Sequence, residues 1–237
     1  MNKSTNLPLD QFINHALYDK ENGYYMKKNP FGKEGDFITS PNITRLFSEI
    51  IAIWVITFWK SIGSPKKFNL IELGAGNGEM MKVVSETLKN FPDCFNSCNL
   101  MIHEKSSYLI DEQKKNLNSE KIIWVNEVEI DNTFHCIYLA NEFFDALPIK
   151  QFFKKENNWF ERYVNLKTYK KAEFNDKEVD IKTIEQELKF EISKDQDVIE
   201  YSPEAFKYLE KICKIIENRD GGLLIIDYGY LDLKIKN

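Results

Sequence analysis

Seven consecutive positions, Glu72-Leu73-Gly74-Ala75-Gly76-Asn77-Gly78, place three alternating glycines behind an acidic side chain. Glycines so spaced permit positive φ and let a ligand approach the backbone closely. The short apolar run Phe68 to Leu73 leads into this loop, and a helical pattern from Met80 to Leu88 follows it. A strand-to-helix turn of this kind is where α/β folds hold ligands.

Three readings of the loop stand: a structural turn, a dinucleotide site and an S-adenosylmethionine site. A dinucleotide fingerprint needs its third glycine at position 79, which is Glu79 here. A carboxylate there competes with a pyrophosphate for the amides of the helix N-terminus. S-adenosylmethionine has no phosphate, and an acidic residue followed by alternate glycines is the usual form of its loop. Glu72, Gly74, Gly76 and Gly78 are therefore the candidate cofactor residues. Glu104 joins them. It ends a second apolar run, Leu100 to Glu104, where a carboxylate can accept from both hydroxyls of a ribose. It lies 26 positions past Gly78, farther than the roughly 20 residues of dinucleotide folds. Its alternative role is a solvated strand-end acid. Asn126 and Glu127, after the third strand, are placed to face an adenine.

A second polar group follows the apolar run Phe134 to Ala140. Asn141, Glu142 and Asp145 stand there among Phe143 and Phe144. Open α/β sheets gather chemistry at the carboxyl ends of their strands. No (Asn/Asp)-Pro-Pro-aromatic element occurs at this point, which disfavours a nucleobase acceptor. Carboxylates suit a guanidinium acceptor. Methyl transfer from a sulfonium is an in-line displacement that needs an aligned nucleophile. Arginine, with a pKa above about 12, is protonated and a poor one. A carboxylate fork can orient it and help remove a proton. Glu142 and Asp145 are the candidate catalytic residues and Asn141 a candidate cofactor contact. Capping of the following segment is the competing reading for the two acids.

The elements that must position these residues alternate in type. Leu7 to Leu17 has a helical period, Asn22 to Ser40 is turn-rich and aromatic, and Ser40-Pro41 has the form of a helix start. The helix it opens carries Ile43, Phe47, Ile50, Ile51, Trp54 and Phe58 on one face. Strands are expected at 68–73, 100–104, 122–125, 134–140 and 223–227, with helices at 80–88 and 106–117 between them. This rhythm predicts a doubly wound, mostly parallel, Rossmann-like α/β sheet. Lys150 to Asp195 interrupts it as a charged insertion with short aromatic strands. A helix then opens at Ser202-Pro203 and ends at Gly221-Gly222. The expected organisation is an N-terminal helical and loop segment, 1–66, covering the cofactor site, and a core, 67–237, with an insertion at about 150–200.

The 237 residues, 43% of them hydrophobic, can fill a substantial core. A net charge of −5 argues against a nucleic-acid partner and suits a cationic protein or peptide. The four cysteines form no C-x-x-C pair and the three histidines are scattered, so no metal site is expected. Residues 1–10 show no targeting pattern, and the most apolar run, Ile50 to Trp59, is about half the length that spans a bilayer. A cytoplasmic, non-membrane protein with reduced thiols is expected.

Four motifs occur in order: Gly35-Asp36-Phe37-Ile38-Thr39-Ser40-Pro41, the glycine loop, Asn141-Glu142-Phe143-Phe144-Asp145-Ala146-Leu147-Pro148, and Ile225-Ile226-Asp227-Tyr228-Gly229-Tyr230. Together, from about Leu7 to Tyr230, they resemble the MidA family, which includes a mitochondrial complex I assembly factor that methylates protein arginine. The resemblance implies a class I S-adenosylmethionine-dependent methyltransferase with protein arginine as acceptor and a role around complex I assembly. It also makes Asp36 a candidate active-site residue, where the residues alone suggest a turn. Ala75 stands where the family often has Pro. Family members continue past the Asp-Tyr-Gly-Tyr segment into further strands. The expectation is therefore a fragment that lacks the last strands of the sheet, is poorly stable or inactive alone, and could pair with a separately encoded C-terminal piece. A non-catalytic assembly or scaffold protein on the same fold is the alternative function. A dinucleotide-dependent oxidoreductase is a third.

Overall fold

A computed structural model describes residues 5–27, 30, 35–37, 39–117, 122–130, 133–168, 171–189, 191–194 and 196–229. The chain begins with β1 (Thr5–Pro8), α1 (Leu9–Tyr18), α2 (Tyr24–Lys27), α3 (Ser40–Ile43) and α4 (Arg45–Ser61). Then come β2 (Phe68–Leu73), α5 (Glu79–Leu88), α6 (Pro92–Ser97), β3 (Cys98–His103), α7 (Ser107–Leu117), β4 (Ile122–Val125) and β5 (His135–Asn141). It continues with β6 (Lys150–Lys155), β7 (Asn158–Thr168), β8 (Lys171–Val179), α8 (Ile181–Leu188), β9 (Val198–Tyr201), α9 (Pro203–Arg219) and β10 (Gly221–Ile226).

These elements form two compact units, one of residues 5–17, Leu147–Phe206 and Gly229, the other of Tyr18–Ala146 and Lys207–Tyr228. The expected boundary at residue 66 coincides with neither. Residues of α4 share one hydrophobic core with the parallel sheet, and β1 joins the strands of the insertion.

The larger unit carries a sheet in the order β10-β5-β2-β3-β4, with every neighbouring pair parallel. The chain runs outward through β3 and β4, then returns to the other side of β2 with β5 and β10. That is the expected doubly wound fold, and its strand order reverses between β2 and β5, the position where such sheets open a crevice. Strand side chains alternate faces. On one face Phe68, Leu70, Leu100, Ile102, Ile137 and Leu139 meet Ile51, Ala52 and Val55 of α4 and Met81 and Val84 of α5. β10 is the outer strand of the sheet among the described residues, and its Ile225 is 46% exposed.

Several local expectations change. The helix expected to run on from Ser40 is two helices. Thr44 adopts extended angles between them and caps α4 by accepting from the Leu46 N–H at 3.3 Å. The face of α4 also differs: Ser48, Ile51, Ala52, Val55, Ile56 and Trp59 are buried, whereas Ile43 and Ile50 are exposed. A helix apolar nearly all round leaves its inward face ambiguous by period alone. The Pro92 to Cys98 loop contains α6. Gly221 and Gly222 belong to β10 rather than to the helix stop. Their small size is what the sheet needs. A Cβ at Gly221 would lie 2.1 Å from the Cys136 carbonyl oxygen, and one at Gly222 would lie 2.5 Å from Cζ of Phe58. Gly221→Ala is accordingly expected to destabilise the chain by about 2–3 kcal/mol through overpacking. A urea midpoint equal to that of the unaltered chain would contradict this account.

The smaller unit is a five-stranded antiparallel sheet in the order β1-β7-β6-β9, with β8 also paired to β7. The segment read as helical from Leu7 is a strand through Pro8, and the helix starts at Leu9. Phe152, Trp159, Ile181 and Ile199 form its buried cluster. Cys94, Cys98 and Cys136 are buried and Cys213 is exposed, and none of the four is in a disulfide. Among the described residues no acidic, cysteine and histidine cluster could hold a metal ion, and no helix is long and apolar enough to cross a membrane. Ile38 and Tyr230, which belong to the motifs above, lie outside the described residues.

Candidate functional site

The site is built at the carboxyl end of the larger unit's parallel sheet. After β2, the Gly74 N–H donates to the His103 carbonyl at 2.9 Å, which keeps the loop tied to β3 as it leaves the sheet. Gly74, Gly76 and Gly78 have φ of 64°, 55° and 84°, values that L side chains adopt only with strain. Gly74 also makes room for a ring, since a Cβ there would lie 2.8 Å from Cδ2 of Phe143. Gly78 stands at the N-cap of α5 and has no side chain with which to cap it. Asn77 supplies that function: its Oδ1 accepts from the Glu79 N–H at 3.2 Å, while its Nδ2 donates to Asn42 Oδ1 at 2.8 Å. The loop thereby holds the segment before α4 against itself. Glu72, Gly74, Gly76 and Asn77, with Asn141 and Glu142 from the end of β5, line a recess that Thr39, Pro41 and Asn42 complete.

The electrostatics of this recess select its contents. Glu72 follows Phe68 and Leu70 on the buried face of β2 and is 3% exposed. Burial, then the neighbouring charge of Glu104, pushes its carboxyl up to about 8, opposed by the Met81 N–H. Among the described residues its Oε2 has no hydrogen-bond partner, nor has the buried Oδ1 of Asn141. Unsatisfied buried acceptors are costly, and two of them lining one recess fit a ligand that brings cationic N–H donors, such as the ammonium of an amino-acid moiety.

Glu104 is buried just past β3. Its Oε1 accepts from the Ser106 N–H at 2.9 Å and its Oε2 from Gln113 Nε2 at 3.1 Å. Burial raises its pKa against the pull of these donors and of Lys105. Glu104, Gly78, Asp145 and Asp36 do not themselves line the recess. Asn126 and Glu127 are exposed, and Glu127 pairs with Lys211 at 3.1 Å.

The acidic segment after β5 is held in an unusual backbone. Glu142 has φ of 50°, which costs a non-glycine residue about 1–3 kcal/mol. Its N–H donates to the Ile226 carbonyl at 2.8 Å, so the end of β10 holds the turn. Asp227 does the same for the next two residues, accepting from the N–H groups of Phe144 and Asp145 at 3.1 and 3.2 Å. Partial burial, then Asp227 and Glu142, pushes the Asp145 carboxyl up to about 6. Tyr25 faces this group, and its hydroxyl is raised by burial and by Asp145. Asp36 is exposed and accepts a hydrogen bond from the Tyr24 hydroxyl.

Four side chains near the site were not singled out from the residues. Asp227 lies in a noted motif, and the strand-end rule that selected Asn141 would also have found it. Gln113 sits in a polar helical stretch with no distinguishing signal. His103 and Tyr208 join across 105 positions, His103 Nε2 to the Tyr208 hydroxyl at 2.9 Å. Burial, then Lys105, lowers the histidine pKa, and the Tyr208 ring packs edge-on to Phe143 at 5.1 Å.

The sequence and the fold are similar to those of known proteins. The model of a family described as "Putative S-adenosyl-L-methionine-dependent methyltransferase" matches residues 50–237. "Protein arginine methyltransferase NDUFAF7, mitochondrial" from Xenopus laevis is 29% identical, over 98% of this chain and 59% of the relative. The Homo sapiens protein of the same name is 27% identical, over 96% of this chain and 57% of the relative. The chain thus spans less than two thirds of the length of these relatives. A Burkholderia thailandensis protein crystallised with S-adenosyl-homocysteine superposes with a TM-score of 0.77 at 22% identity, over 95% of this chain and 59% of that one. That likeness concerns the fold.

Proposed function

This chain belongs to that family of S-adenosyl-L-methionine-dependent methyltransferases, and on that premise we propose that it transfers a methyl group to a protein side chain, arginine. The observation that carries the cofactor reading is the pair of orphaned acceptors, Glu72 Oε2 and Asn141 Oδ1, beside a loop of three positive-φ glycines. The sulfonium of the cofactor supplies an electrophilic methyl group. Glu72 and Asn141 would take its ammonium, the backbone of Gly74 to Gly78 would lie along it, and Glu104 would take its ribose hydroxyls.

The acceptor reading rests on Glu142, Asp145 and Asp227, three acids at the ends of β5 and β10, with Tyr25 beside them. The carboxyl groups of Glu142 and Asp145 hold a guanidinium by charge and directed hydrogen bonds. Asp145 then accepts the proton that the guanidinium loses as its nitrogen attacks. The relatives, protein arginine methyltransferases by name, support arginine as the acceptor, and the family resemblance makes a respiratory complex I subunit the first acceptor to try. The test is transfer of labelled methyl from S-adenosylmethionine to an arginine-containing acceptor. Label is expected on arginine and is expected to disappear when that arginine is replaced by lysine. Label that stays after the replacement, or a chain that binds the cofactor but labels no arginine acceptor, counts against the proposal.

The protonation of Glu72 gives a second check. Its carboxyl titrates at about 8 in the protein alone, so it is mostly neutral at pH 7. An arriving ammonium favours the ionised form and lowers that pKa. Binding at pH 7 should therefore release close to one proton, and the Kd should fall about tenfold between pH 6 and pH 7. Calorimetry in two buffers of different ionisation enthalpy measures both quantities. Equal heats in the two buffers would remove Glu72 from the ammonium site.

A further inference from the structure

Helix α7 addresses the glycine loop with three side chains. Gln113 Nε2 donates to the Gly76 carbonyl at 2.9 Å and to Glu104 Oε2 at 3.1 Å. Asn116 Nδ2 donates to the Asn77 carbonyl at 3.1 Å. Leu117 stands against Gly78, where a Cβ would lie 3.2 Å from Leu117 Cδ1. Gln113 is fully buried, and its Oε1 accepts from the Trp124 indole N–H at 2.8 Å. Both amide hydrogens and the amide oxygen are thus committed to three separate pieces of the fold: the loop after β2, the acid after β3 and the penultimate residue of β4. A glutamine so buried is uncommon. Nothing in the packing of an α/β core requires an amide there, since an apolar side chain would fill the same space.

What the amide does is fix a carboxylate. Glu104 has lone pairs for about four donors; Ser106 and Gln113 supply one to each oxygen, and the Lys105 N–H is a third donor. Its remaining acceptor capacity then has a set direction relative to the Gly76 backbone. We infer that Gln113 is a positioning residue that holds Glu104 in register with the glycine loop for a vicinal diol, so that the site selects a nucleoside with both ribose hydroxyls, and that the Trp124 indole senses this bond. The inference rests on the cofactor reading above. It adds a specificity role for a residue that does not touch the ligand.

The test uses the full chain with S-adenosyl-homocysteine and its 2′-deoxy analogue as probes. For the unaltered chain, loss of the 2′-hydroxyl should weaken binding about tenfold, the effect of one hydrogen bond to a charged group. In Gln113→Met, of similar length and without the amide, the Kd for S-adenosyl-homocysteine should rise about 10- to 30-fold. The penalty for the deoxy analogue should shrink below about threefold, because a misaligned Glu104 no longer distinguishes the two ligands. Tryptophan emission should respond to ligand in the unaltered chain and lose that component in both Gln113→Met and Trp124→Phe. Gln113→Glu keeps the size but faces Glu104 with an acceptor. It carries the same expectation should the methionine variant fail to fold.

Uniform weakening of both probes with the tenfold discrimination kept would overturn the inference, as would unchanged affinity. If the unaltered chain binds neither S-adenosyl-homocysteine nor S-adenosylmethionine, the cofactor reading itself falls and takes the inference with it. If it binds both while the Gln113 variants discriminate normally, only the inference falls.

Discussion

Gly76→Val is expected to remove measurable binding of S-adenosyl-homocysteine, with a rise in Kd of more than about 100-fold, equivalent to about 2.7 kcal/mol. Two effects combine. Gly76 has φ of 55°, a conformation a β-branched residue adopts only as an outlier. It also lines the recess, so a branched side chain occupies space a ligand needs. Backbone strain can be separated from blockage by a second glycine. Gly63 has φ of 89° with open space around its would-be Cβ and lies outside the recess-lining set. Gly63→Val should cost stability, measured by thermal unfolding, while leaving the Kd unchanged. If Gly76→Val binds normally, or if Gly63→Val loses binding to the same extent, the loop is not the cofactor site.

Asp145→Asn is expected to lower the rate of methyl transfer on the order of 10²–10³-fold, within the range of a general base. Affinity for S-adenosyl-homocysteine should stay within about threefold, as for a substitution away from the ligand. The pH profile distinguishes this from a positional effect. Burial, then Asp227 and Glu142, holds the Asp145 carboxyl at about 6, so its ionised, competent form grows as pH rises through that value. The rate of the unaltered chain should therefore climb through about pH 6 and level off above it, and this acid limb should vanish in Asp145→Asn. Steady-state rates between pH 5 and 8 with a fixed acceptor decide the matter. A variant that keeps both its rate and its limb would assign Asp145 to capping the turn after β5.

The sheet and its glycine loop were legible because they depend on local rules. Phe68–Leu73 and Ile122–Val125 occupy the expected positions, since an apolar run bounded by polar or glycine residues can do little else in an α/β chain. Glu72, Asn141 and Glu142 were found by their places at strand ends. What stayed hidden depends on partners far along the chain. Gln113 reads as part of a solvated helix until Glu104 and Trp124 close over it. The inward face of α4 is chosen by what the sheet offers, including the slot at Gly222 for Phe58. β1 has four residues, one of them Pro8, and nothing in so short a segment announces a strand.

The pairing of β1 also governs the order of events during synthesis. Thr5 lies opposite Leu166 and Pro8 opposite Tyr163, so β1 must wait for more than 150 residues before its partner exists. A nascent chain grows at about 5–20 residues per second, so this strand spends on the order of ten seconds without its ladder. Meanwhile β2 and β3 can pair as soon as both have left the ribosome, because only 24 residues separate Leu73 from Cys98. Long loops close slowly and late. β1 therefore joins its ladder well after β2 and β3 can have paired.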